Sequence, residues 1–315
     1  MVNQIVFFVF LIFYFGISPV QAGRPTQPGS ISGTYGAKNT ALSGGAAVVA
    51  EEVTTLFVNP SGVGFLSRSE FACGYQRGLV DTWRGYLGYV HNFQRFGLGT
   101  GLAFYDAGTT EIYDTLSGTN RTINAGNDFT ANICGSWNII QSRAGTLGLG
   151  LGLKLIGSTL AEQYTSATVG ADVGFIYGLP ENRLVLGASR RNLSSGISYL
   201  GQEIEKIPVI YNIGGEWKVV NSPDHQLAVV VNYENSDIYP LSKYGLGIAY
   251  GWKRFFSFRM GYNTLAKQLT FGGGIRLGRY QLDYVMLPNS ELGDEHYVSL
   301  NIRVGKVPVP AATPK

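Results

Sequence analysis

Residues 145–158 read GTLGLGLGLKLIGS, with Leu147, Leu149, Leu151, Leu153 and Leu155 alternating with Gly148, Gly150, Gly152, Lys154 and Ile156. A period of two puts every leucine on one face of an extended strand, whereas a helix would scatter them around its axis. Soluble sheets set Lys, Thr or Glu opposite a leucine face. Three glycines there mark instead the close approach of another backbone. The stretch predicts a wall with hydrocarbon on one side and a crowded interior on the other.

The same alternation recurs in about fourteen segments: residues 69–79, 83–93, 95–106, 128–140, 145–158, 164–178, 182–191, 207–219, 225–234, 243–252, 255–263, 267–278, 279–287 and 295–304. Each is near the length of about 9–11 residues that a tilted strand needs to cross a bilayer. The connections alternate too. Odd-numbered ones include long stretches (107–127, 192–206, 288–294), and even-numbered ones are mostly short (94, 141–144, 179–181, 253–254). Outer-membrane barrels pair short periplasmic turns with longer outer loops in this way. The prediction is all-β: a transmembrane antiparallel β-barrel of about fourteen strands with both termini in the periplasm.

The two faces separate by parity. The outer face receives Phe96, Leu98, Leu102 and Phe104, then Val169, Val173, Phe175 and Tyr177, then Tyr244, Leu246, Ile248, Tyr250 and Trp252. Trp83, Tyr105, Trp217 and Tyr280 fall near segment ends, where interfacial aromatic girdles belong. The inner, glycine-rich face receives Lys154, Asp172, Glu216, Arg259, Arg276, Asp283 and Arg303. A Lys or Arg costs about 2–4 kcal/mol on the lipid side at mid-depth and far less in a polar lumen. Because the signs are mixed, ion pairs bracing plug and wall are expected rather than a charged conduction path.

Residues 33–66, GTYGAKNTALSGGAAVVAEEVTTLFVNPSGVGFL, do not alternate. Small residues crowd positions 41–50, and Asn59, Pro60, Ser61 and Gly62 form a turn signal. Small residues beside a glycine-lined wall predict a helical and loop plug inside the lumen. Residues 1–22 have the apolar core and Val20-Gln21-Ala22 ending of a cleaved secretory signal. The expected organisation is signal 1–22, tether and plug 23–66, barrel 67–304 and a Pro-rich tail 305–315.

Composition agrees. Only 14% of the 315 residues are charged, against about a quarter in ordinary soluble domains. The near-neutral net charge of +3 gives no reason to expect nucleic acid. Outer-membrane lipid is the expected surroundings. Cys73 and Cys134 make no metal spacing and fall on opposite faces, so two free thiols are expected. His91, His225 and His296 lie far apart, giving no metal site and no cofactor. GLGLG at 148–152 sits inside a strand, so it is no dinucleotide loop. The nearest approach to a hydrolase set is His296 with Asp294 and Ser299, and sequence proximity says little about geometry, so no enzyme is expected.

Gly33-Thr-Tyr-Gly-Ala37, Leu42-Ser-Gly-Gly-Ala46, Glu51-Glu52 and Asn59-Pro60-Ser61-Gly62 together resemble the N-terminal signature of long-chain fatty acid transporter-like (FadL-like) barrels. Their PorV/PorQ branch is the nearer match, with its "GARALGMGGA…D…NPAGLA" run. Tyr239-Pro240, Arg259-Met-Gly-Tyr262, Leu269-Thr-Phe-Gly-Gly-Gly274, Leu282-Asp-Tyr284 and Leu292-Gly293 with His296 resemble that branch's later pattern. Ser61 replaces the motif's Ala, and the chain continues past its last strand. The resemblance implies a plugged fourteen-strand barrel serving protein secretion or surface attachment of type IX kind, with secretion-system proteins or their cargo as partners. The wider family implies instead a passive transporter of a hydrophobic small molecule across the bacterial outer membrane, and a purely structural barrel is the third reading.

Overall fold

The computed structural model describes residues 28–44, 47–48, 52–114, 118–199, 204–238 and 242–305. The expected signal segment, most of the tether, Glu51, Tyr239-Pro240 and the tail from 306 onward lie outside the described residues. The strands are β1 (Ser69–Arg77), β2 (Trp83–Asn92), β3 (Phe96–Asp106), β4 (Thr109–Asp114), β5 (Thr119–Asn124), β6 (Gly126–Ser142), β7 (Gly145–Leu160), β8 (Tyr164–Gly178), β9 (Leu184–Ser194), β10 (Ile210–Asn221), β11 (His225–Ser236), β12 (Lys243–Trp252), β13 (Phe256–Asn263), β14 (Gln268–Leu277), β15 (Tyr280–Leu287) and β16 (Glu295–Val304). Fourteen of them close into one antiparallel barrel in which β1 pairs with both β2 and β16, leaving β4 and β5 as a separate hairpin.

The fourteen alternating segments are therefore the fourteen wall strands. Two details differ from the pattern. The long connection at 107–127 carries the β4–β5 hairpin, whose mostly polar strands, TTEIYD and TNRTIN, give no alternation to read. Strands β6 and β7 run to 17 and 16 residues, longer than a bilayer requires, and carry this hairpin outward.

The faces sort as the lipid argument demands. Leu151 and Leu153 are 69% and 64% exposed on the outside, and the intervening glycines face in. Phe175 departs from this simple picture: it lies on the outer side opposite Leu149 and Ala188, yet is enclosed with Leu147, Ala188, Ile140 and Tyr177. A register shift in β6 between Asn138 and Ile140 sets Ile140 opposite Leu147. Such a bulge bends its strand and folds this patch over Phe175. Cys73 and Cys134 carry free thiols, the second buried.

Inside the barrel sits the plug: helical turns at Gly29–Ser32 and Ala37–Ala41, then two 3-10 helices at Val53–Phe57 and Pro60–Phe65. Ala37, Ala41, Val53 and Val63 are fully buried. The glycine face of the wall explains how they fit. A Cβ on Gly272 would come within 2.6 Å of Ala41, one on Gly101 within 2.8 Å of Leu56, and one on Gly97 within 2.7 Å of the Val63 carbonyl. No helix among the described residues is long and apolar enough to cross a membrane.

Candidate functional site

The centre of the plug is the turn at Asn59–Gly62. Asn59 is the N-cap of the second 3-10 helix: its Oδ1 accepts from Ser61 N at 3.2 Å and Ser61 Oγ at 2.6 Å, and Pro60 fills the first helical position, where no N–H is needed. Its Nδ2 donates to the Ala47 carbonyl at 2.7 Å within the plug, and to the wall carbonyls of Phe175 at 3.2 Å and Ala188 at 3.3 Å. One buried side chain therefore ties the plug to two neighbouring strands, β8 and β9. Ser61 and Gly62 follow, both buried, with Gly150 of β7 close beneath the Pro60–Ser61 peptide.

Backbone that is neither helix nor sheet must find partners when it is buried at membrane depth. The wall supplies many of them from neutral polar side chains. Ser136 Oγ donates to the Ser61 carbonyl at 2.7 Å, Asn138 Nδ2 to Gly64 at 2.8 Å, and Thr270 Oγ1 to Ala41 at 2.9 Å. In the other direction Gly36 N donates to Tyr297 OH at 2.9 Å and Ala37 N to Ser299 Oγ at 3.1 Å. These inward Ser, Thr, Asn and Tyr residues escaped the sequence reading, which looked for charge. Their signal was present as small polar residues at the inward positions of alternating strands.

The charges singled out from sequence all face the lumen. Lys154 of β7 meets Asp172 of β8 at 2.7 Å, Arg259 of β13 meets Asp283 of β15 at 2.7 Å, and Arg303 of β16 meets Glu70 of β1 at 3.0 Å. Among the described residues these three pairs join one wall strand to another. The plug is tied by hydrogen bonds, and by Arg191, whose guanidinium donates to the Phe57 carbonyl at 3.4 Å and pairs with Glu234 at 3.3 Å. Asn192, also missed, completes the Lys154 site: its backbone N–H donates to Asp172 at 2.8 Å and its side-chain oxygen accepts from Lys154 at 2.9 Å. It sits in the left-handed region at φ 64°, at a register shift between β8 and β9.

Three openings or closures bear on passage. At the end of the barrel opposite the short turns, Ile197 and Ile207 of the connection after β9 pack with Ile31 of the plug and Ile156 of the wall into a buried apolar cluster, with Tyr199 against it. At the opposite end a cavity of about 360 Å³ opens beneath the plug, walled by Glu216, Lys218, Arg259, Arg276 and Gln281 and roofed by Lys38. On the membrane face an apolar groove of about 530 Å³ runs over Ile213, Gly215, Val231, Tyr244 and Leu246. Behind that stretch of wall the neighbouring Gly214 and Gly245 approach Ala47 and Ser43 of the plug.

Within the plug, Glu52 is buried and one of its oxygens has no partner among the described residues; the other accepts from Thr54 at 3.4 Å. Burial raises its carboxyl above the usual range, against the pull of the nearby Lys38 ammonium. Burial likewise pushes the Tyr35 phenol up to about 12. The histidines form no site together. His225 and His296 each share a 2.7 Å hydrogen bond with a tyrosine, Tyr250 and Tyr284, on the outer surface, and His91 meets Tyr89 at 3.0 Å. His296 is exposed while Ser299 is buried against the plug, so the Ser-His-Asp trio does not converge. Among the described residues no group of three His, Cys, Asp or Glu side chains is placed to hold a metal.

No protein-family model matches the sequence, and no curated protein is similar to it in sequence. Solved structures do share its fold. The Pseudomonas putida toluene transporter TodX superposes with a TM-score of 0.59 at 14% identity, over 88% of this chain and 98% of that one. The CymD monoaromatic hydrocarbon channel gives 0.59 at 13% identity over 90% and 100%, and a Pseudomonas aeruginosa FadL homologue gives 0.54 at 10% identity over 89% and 99%. The likeness is one of fold. The chain is a plugged fourteen-strand barrel with the architecture of FadL-like outer-membrane proteins.

Proposed function

We propose that the protein resides in the outer membrane and passively admits a hydrophobic small molecule. The observation that carries this reading is the way the lumen is shut. At its outer mouth Ile31, Ile156, Ile197 and Ile207 form an apolar seam, with Tyr199 packed against it. Hydrocarbon can part such a seam without leaving a buried polar group unpaired, which a polar solute cannot do. Below it lie the plug and then the polar cavity at the periplasmic end. The channels and transporters of hydrocarbons that share this architecture over nearly their whole length support the same reading. Transport then requires the plug to shift along the glycine wall and to exchange the hydrogen bonds that tie it there.

The test is saturable uptake of a labelled monoaromatic hydrocarbon or fatty acid into proteoliposomes, measured above protein-free liposomes. A Ser30→Cys/Thr130→Cys pair in a Cys73→Ser/Cys134→Ser background, placed where the two native hydroxyls meet at 2.8 Å, locks the plug to β6. Oxidation should abolish the saturable flux and reduction restore it. Flux indifferent to the lock contradicts plug-gated transport. Absence of flux together with co-purification of large secretion components favours the secretion role that the Asn59–Gly62 motif resemblance implies.

A further inference from the structure

The two ends of the barrel differ in charge. The short turns carry Arg95, Arg143, Arg183, Lys253, Arg254 and Arg279, all exposed, against the exposed acids Glu181 and Asp224. The opposite end is close to balanced: Asp81, Glu111, Glu162, Glu291 and Asp294 are exposed there against Arg77, Arg121, Lys206 and Lys267. The basic residues stand at a defined depth. Phe93, Trp137, Trp217, Trp252, Phe255 and Tyr280 are exposed on the outer surface at this same end and mark the boundary between hydrocarbon and water. Each cation lies just beyond that belt, at headgroup level. Lys253 folds back over the Trp252 ring at 5.2 Å.

The turns that present these cations are stitched to the next strand around the rim. The Arg95 carbonyl accepts from Asn138 N at 2.8 Å, Arg183 from Lys218 N at 2.8 Å, and Arg279 from Arg303 N at 2.9 Å. The side chains of Arg95, Arg143, Arg183, Arg254 and Arg279 meanwhile make no hydrogen bond or ion pair with other described residues. The geometry points to a collar that binds the phosphate headgroups of anionic glycerophospholipids in the membrane leaflet facing the periplasm. Guanidinium groups suit phosphate because their planar fork can grip two oxygens at once. The inference rests on the barrel lying in a membrane and not on what it transports.

The experiment uses full-length protein folded in detergent, incubated with an equimolar mixture of phosphatidylglycerol and phosphatidylcholine, and read by native mass spectrometry of the retained lipid. Removing one cation at an anionic surface weakens binding about fivefold, from the contribution of about 1 kcal/mol per Lys or Arg. Arg95→Gln/Arg143→Gln/Arg279→Gln should therefore lower phosphatidylglycerol retention by roughly tenfold or more and leave phosphatidylcholine unchanged. The outer-end control Lys206→Gln/Lys267→Gln should retain phosphatidylglycerol like the wild type. Unchanged retention in the triple variant, an equal loss in the control, or equal retention of both lipids by the wild type overturns the proposal. Heat-modifiable gel mobility confirms that each variant is folded, and Arg143→Gln alone, with its fivefold expectation, serves if the triple variant is not.

Discussion

The carboxamide of Asn59 occupies the space that a Cβ on Gly174 would take. Strand β8 can carry only glycine there because the plug turn reaches the wall at that point and donates to the Phe175 carbonyl beside it. Gly174→Ala should therefore destabilise the folded barrel by about 1–3 kcal/mol through overpacking. Asn59→Ala should cost about 1–3 kcal/mol by leaving the buried wall carbonyls without a donor. In the double variant the added methyl has room, so the double variant should cost less than the sum of the two single costs. Urea titration of folding into lipid vesicles measures all three. Strict additivity would show that the two residues do not touch.

Lys154→Met should be among the most damaging single substitutions in the wall. Lys154 and Asp172 are both almost wholly buried at 2.7 Å, with Asn192 satisfying both. Removing the cation strands a buried carboxylate, at a cost of about 3–5 kcal/mol. Lys154→Met/Asp172→Leu removes both charges and should recover a large part of that loss, because well-packed apolar replacements of buried pairs are often tolerated. The same titration reads it, and a double variant worse than the single one would refute the pairing.

Glu52 should make the plug less stable as pH rises. Burial raises its carboxyl above the ordinary glutamate value of about 4.3, so the neutral form is favoured in the folded state. A raised carboxyl contributes stability that is complete below the ordinary value and lost as pH rises through the raised one. Limited proteolysis of the plug should accordingly accelerate as pH rises, and Glu52→Gln should flatten that dependence. An unchanged pH profile in the Gln variant would assign the sensitivity to another group.

Much of the fold was legible because lipid is an unforgiving solvent: it demands alternation along every wall strand and closure of the sheet. Leu151 and Gly150 report this side by side, one facing hydrocarbon and the other the Pro60–Ser61 peptide. Legibility stopped where the period breaks. Asn192 and the register shift beside it interrupt β9, so neither its left-handed backbone nor its place in the Lys154 site follows from parity. The hairpin β4–β5 stands outside the lipid and had no reason to alternate. Ser136, Asn138 and Thr270 read as ordinary lumen filler because their roles are set by the path of the plug backbone, which no local pattern encodes. Ile197 and Ile207, in the connection after β9, gave no periodic signal of their burial against the plug.

The account stands or falls on which side of the wall meets hydrocarbon. Nitroxide labels at Leu151→Cys and Leu153→Cys, in a Cys73→Ser/Cys134→Ser background reconstituted into vesicles, test it directly. High collision rates with dissolved oxygen and low rates with a water-soluble nickel chelate are expected at both positions. High nickel accessibility at both would place the leucine face in water and contradict the barrel's orientation, and with it the plugged lumen.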